Sequence, residues 1–111
     1  MALRADITPM INTSIKNNHI AIENLFKSIF SEVPNTTIDL KDSSIHISHN
    51  DKNNTDAASI DLIQTEEGFS ITYWDGYSLA ENENEKDLKK SLKIFKRYSK
   101  KMAKNLIRFG S

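Results

Sequence analysis

The chain has 111 residues, 38% hydrophobic and 27% charged, with 15 Lys/Arg balanced by 15 Asp/Glu and no cysteine. It is long enough for one core without staples; the missing cysteine excludes disulfides, a thiolate nucleophile and a Cys-type zinc site, and no apolar run approaches the roughly 18–20 residues of a membrane span. The zero net charge hides a division: residues 1–85 carry 14 acids against 5 bases, whereas residues 86–111 carry 10 bases against Asp87 alone.

Met1–Asp6 lacks the apolar stretch of a secretory signal, so a cytoplasmic protein is expected. Fourteen isoleucines beside one valine, with 12 lysines and 11 asparagines, point to an AT-rich microbial coding region. Thr8-Pro9 reads as an N-cap and a proline at the first helical position. Ile11, Ile15, Ile22, Leu25, Phe26 and Ile29 then form one apolar stripe on a helix of about 20 residues. Glu32-Val33-Pro34-Asn35 ends it, because proline pushes the residue before it out of helical geometry.

Beyond Asn35 the period becomes two. Thr37–Lys41, Ile45–His49, Ser59–Ile63 and Phe69–Trp74 alternate apolar and polar residues and predict four strands. Asp42-Ser43-Ser44 supplies a turn, and Asn50–Asp56 reads as a polar loop. Glu66-Glu67-Gly68 suits a hairpin with a left-handed glycine. Tyr77–Asn84 reads as an acidic, irregular connection, and Asn84 with Asp87 resembles a capping box. Leu88, Leu92, Phe95, Met102, Leu106 and Phe109 then mark the stripe of a long basic helix, with Ser99 at the missing position and Gly110 at the end.

The order α-β-β-β-β-α predicts a single α+β domain over residues 1–111. It is expected as a two-layer sandwich, a four-stranded antiparallel meander with both helices on one face. Its sheet core would be Ile38, Leu40, Ile45, Ile47, Ile60, Leu62, Phe69, Ile71 and Tyr73. The open face would then carry Thr37, Asp39, His46, Ser48, Ser59, Asp61, Ile63, Ser70, Thr72 and Trp74. Tryptophan among small polar residues is a common interface anchor. Beside it, Asp75, Tyr77, Glu81, Glu83 and Glu85 suggest an acidic, aromatic docking surface for a basic protein.

The basic helix invites a second reading, nucleic-acid binding through Lys89, Lys93, Lys96, Arg97, Lys100 and Lys104. Lysine dominates there, and the acidic body would repel a polyanion, so the bland alternative is a solvated face that balances the rest of the chain. Catalysis has little support. His46 and His49 are three apart on a strand and point to opposite faces, unsuited to one metal. His19 sits at the margin of the first stripe. There is no glycine-rich loop and no nucleophile motif, so no enzyme, cofactor or metal is expected.

In overall character, and in its Phe69-Ser70-Ile71-Thr72-Tyr73-Trp74-Asp75-Gly76 strand and turn, the chain resembles the contact-dependent growth inhibition immunity proteins of bacteria. That group is diverse and supplies no motif to carry over residue by residue. The resemblance implies that the chain binds one cognate toxin domain, often a nuclease, and blocks its active site. A nuclease cleft attracts a polyanion and is positive, so an acidic surface suits it. The residues expected to contribute are Asp61, Glu66, Glu67, Trp74, Asp75, Tyr77, Glu81, Glu83 and Glu85. A secretion chaperone is a further alternative, although such proteins place another helix within the strand set and residues 36–76 leave no room for one. An edge strand or the Leu88–Phe109 stripe is available for a homodimer.

Overall fold

The computed structural model describes residues 14–54, 56–78 and 80–108. Thr8-Pro9, Ile11, Phe109 and Gly110 lie outside the described residues. A short 3-10 turn, Lys16–Asn18, leads into helix α1, His19–Ile29. The strands are β1 Thr36–Leu40, β2 Ser44–His49, β3 Ser59–Thr65, β4 Gly68–Trp74 and β5 Ala80–Glu85, and helix α2 spans Leu88–Arg108. The sheet is an antiparallel meander in chain order, β1-β2-β3-β4-β5.

Within the described residues the first helix is shorter than its stripe predicts. Ser14 Oγ accepts from the Asn17 backbone N–H, and the Asn18 amide donates to the Ser14 carbonyl at 2.8 Å. Such local bonds compete with the helical ladder and hold this segment as a 3-10 turn. At the other end the chain leaves α1 after Ile29, and Asn35 adopts φ 60°, a left-handed conformation asparagine tolerates well.

The expected count of four strands is corrected to five. Ala80–Glu85, read as irregular, pairs with β4 along its whole length, Phe69 opposite Glu85 through Trp74 opposite Ala80. Its sequence AENENE has no β-branched or aromatic residue, so a hydrophobic period of two has nothing to act on. The alternation is of glutamate against asparagine, and the charge protects this edge from pairing with another chain. Asn84 accordingly sits in β5, and the expected capping box does not form. Asp87 caps α2 by itself, its Oδ2 accepting from the Lys90 backbone N–H at 3.1 Å.

Both helices cover one face of the sheet. α2 lies over β3, β4 and β5, and α1 meets β1 and α2. Registers give two apolar rows across the inner face: Ile38-Ile47-Ile60-Tyr73 and Leu40-Ile45-Leu62-Ile71. Of the predicted sheet core, all but Ile38 and Leu40 are buried; those two, on edge strand β1, are half-buried against it. From above, Ile22, Leu88, Ile94, Phe95, Tyr98 and Met102 close the core, and the Tyr73 and Tyr98 rings meet at 5.9 Å. The described part of the α2 stripe packs inside the chain, with Leu88, Phe95 and Met102 buried and Leu92 and Leu106 half-buried against the core. Ser99 is fully buried at the missing stripe position, with no partner for its hydroxyl among the described residues.

Candidate functional site

Extending the two inner rows to β5 places Glu81 after Tyr73 and Glu83 after Ile71. These carboxylates, expected on a docking surface, point to the helix side of the sheet. Glu83 Oε2 accepts from the Arg97 guanidinium and from the Tyr98 hydroxyl, the latter at 3.1 Å. Glu81 is ion-paired with Lys101. The match is geometric: two residues along a strand advance about 6.8 Å and four along a helix about 6 Å. Glutamates at i and i+2 on β5 therefore meet cations at i and i+4 on α2, which runs antiparallel to it. Each cation also lies over a tyrosine ring, Arg97 over Tyr98 at 5.4 Å and Lys101 over Tyr73 at 5.9 Å. Burial raises the Tyr98 hydroxyl above the usual phenol value, and its bond to Glu83 raises it further. Burial also dominates at Tyr73, partly opposed by the hydrogen bond Asn105 donates to its oxygen at 3.1 Å. Glu85 completes a third inner row, Gln64-Phe69-Glu85, at the start of α2.

No described helix covers the other face of the sheet. Its rows read Thr37-Ser48-Ser59-Trp74-Ala80, Asp39-His46-Asp61-Thr72-Asn82 and Ser44-Ile63-Ser70-Asn84. All ten residues expected there are exposed or half-buried. Asp61 Oδ1 lies 2.6 Å from His46 Nδ1, which separates it from Asp39. The Asn82 amide bridges the hydroxyls of Ser70 and Thr72 at 3.1 and 2.8 Å. Trp74 Nε1 donates to the Asp56 carbonyl at 2.8 Å, which fixes the indole within the first row, at the end of β4. Asp75 Oδ1 accepts from the backbone N–H groups of Tyr77 and Ser78, and this turn presents Tyr77 with 78% of its surface exposed.

The nine residues expected to bind a partner therefore divide. Asp61 and Trp74 share the open face, and Asp75 and Tyr77 adjoin its end. Glu66 and Glu67 form the two-residue β3–β4 turn, exposed but roughly 20 Å along the strands from Trp74. Glu81 and Glu83 are engaged by α2, and Glu85 is half-buried in the inner row beside Phe69. The six basic residues divide too: Arg97 is engaged by Glu83, while Lys89, Lys93, Lys96, Lys100 and Lys104 are exposed at steps of 4, 3, 4 and 4 along the outer side of α2. None of these five has an ion pair among the described residues. His46 is exposed on the open face and His49 is buried beneath the sheet, opposite one another as their spacing requires. His19 is half-buried, its Nε2 2.7 Å from the Lys41 carbonyl oxygen.

Sequence reasoning missed the β5–α2 pairing and the part played by Tyr73 and Tyr98 in it. The available signal was the spacing of Glu81 and Glu83 set against Arg97 and Lys101. Among the described residues no group of three or more His, Asp or Glu is placed to hold a metal. No described helix is long and apolar enough to cross a membrane, and no helix interrupts residues 36–85 among those described. No family model, curated protein or solved structure matches the chain.

Proposed function

We propose that the chain is a non-catalytic protein-binding module that neutralises a cognate toxin domain, as its resemblance to the immunity proteins implies. The observation that carries the reading is Trp74, fixed at one end of a five-stranded face that the described residues leave open, and followed by the exposed Tyr77. An indole held by its own N–H, surrounded by small hydroxyl residues, offers a large contact area with little side-chain entropy to lose on binding. Asp61 and Asp75 give this region the sign that suits a basic partner, and opposite charges speed encounter. Glu81 and Glu83 are structural in this account, so the docking surface lies on Trp74 and its neighbours.

A second reading rests on the five lysines of α2 that have no ion pair among the described residues. Their straight stripe would bind a phosphate backbone by charge alone, without the forked contacts that arginine provides. Affinity capture from the native strain, with and without nuclease, separates the two. Recovery of one toxin-like polypeptide that survives nuclease supports the immunity reading. Recovery of nucleic acid, or of proteins lost on nuclease treatment, transfers the function to the lysine stripe.

A further inference from the structure

We infer that the outer surface of the helical layer, formed by α1 and α2, docks on an anionic lipid bilayer. Helix α2 contains no acidic residue, and Lys89, Lys93, Lys96, Lys100 and Lys104 run along it for about 22 Å. Lys93 lies two residues from fully buried Phe95, about 200° round the helix, so the stripe faces away from the sheet. Ile107, 58% exposed, follows Lys104 by three residues and extends the same line. Ile20 on α1 stands two residues from buried Ile22 in the same way, and 77% of its surface is exposed. An open groove between the two helices has Ile29, Lys100, Ala103, Lys104 and Ile107 among its lining residues. The helical layer therefore presents lysines and isoleucines on one surface.

That mixture fits a bilayer better than a free polyanion. At an anionic membrane surface ammonium groups meet lipid phosphates, while apolar side chains enter the boundary with the acyl chains. Lysine stems lie along that boundary and keep their charges in the headgroup layer. A nucleic-acid backbone would use the lysines but leave Ile20 and Ile107 in water. It would also favour arginine forks, and Arg97 is engaged by Glu83. The strands set the orientation: none of the five contains lysine or arginine, and the open sheet face carries Asp39 and Asp61. A negative bilayer attracts the helical layer and repels the sheet face, which leaves Trp74 pointing to water. Lipid docking by the helices is independent of toxin binding by the sheet, and it competes with nucleic acid for the same lysines.

Flotation of the full chain with vesicles tests this, using phosphatidylcholine alone and phosphatidylcholine with about one-third phosphatidylglycerol. The chain should float with the anionic vesicles and not with the neutral ones, and added salt should release it. Lys93→Gln/Lys100→Gln should weaken binding about 25-fold, or about fivefold per lysine. Ile20→Gln/Ile107→Gln keeps every charge and should weaken it about threefold to tenfold. All four side chains are exposed, so both variants should fold. Trp74, the one tryptophan of the chain, reports orientation: its fluorescence should be unchanged by lipids brominated on their acyl chains. No flotation with anionic vesicles, flotation unchanged in the isoleucine variant, or quenching of Trp74 by brominated lipid overturns the proposal. Binding of duplex DNA in place of vesicles, equally by wild type and the isoleucine variant, overturns it too and favours the nucleic-acid reading. Toxin capture by the sheet face is read separately, and its loss with vesicle binding retained would count against the immunity reading alone.

Discussion

Tyr98 on α2 donates its hydroxyl hydrogen bond to Glu83 on β5 at 3.1 Å, beneath the Arg97 guanidinium that reaches the same carboxylate oxygen. The tyrosine ring is buried and the arginine is exposed, so the two bonds should differ in strength. Tyr98→Phe should cost about 1.5 kcal/mol, as expected for a sheltered bond to a charged acceptor. Arg97→Ala should cost less than about 1 kcal/mol, and added salt should shrink the loss. Urea unfolding of both variants at low and high salt checks the ranking.

Tyr73 and Tyr98, beneath the ion pairs between β5 and α2, predict sensitivity to alkali. Burial raises each hydroxyl above its value in the unfolded chain, so the unfolded state releases these protons first. The stabilisation is fully present below about pH 10 and is lost as pH rises through the higher folded values. The urea midpoint should fall above that pH, and a Tyr73→Phe/Tyr98→Phe variant should show a shallower fall.

Gly68 joins the β3–β4 turn to the end of β5. It has φ 141°, and a β-carbon there would be driven into the carbonyl oxygen of Glu85. Gly68→Ala should destabilise by about 2 kcal/mol or more, because unfavourable backbone geometry and a backbone clash add. The same unfolding measurement tests it, and an unchanged midpoint would mean that β5 moves away without cost.

The buried hydroxyl of Ser99 predicts a gain. Ser99→Ala removes an unpartnered polar atom from the core and improves helix propensity, so the chain should become about 1 kcal/mol more stable. Thermal unfolding should shift upward by roughly 4 °C or more.

Much of this architecture is legible in the residues. Ile45, Ile47, Ile60, Leu62, Ile71 and Tyr73 alternate along their strands, and that period alone identifies the buried face and the open face carrying Trp74. The C-terminal helix follows from its stripe in the same way. β5 was hidden because its inward residues are glutamates, whose burial depends on cations contributed by a helix that follows them in the chain. The same coupling made Glu81 and Glu83 look like a free acidic patch: charge is countable in a sequence, but its neutralisation is a tertiary fact.

The β5 acids brace the fold against α2, and the proposed partner docks on the open face around Trp74. Affinity capture from the native strain with wild type, Trp74→Ala and Glu81→Gln/Glu83→Gln tests it directly. Trp74→Ala is expected to fold but lose the captured polypeptide, while the double glutamine variant is less stable yet retains it. Retention by Trp74→Ala together with loss by a folded glutamine variant would contradict it.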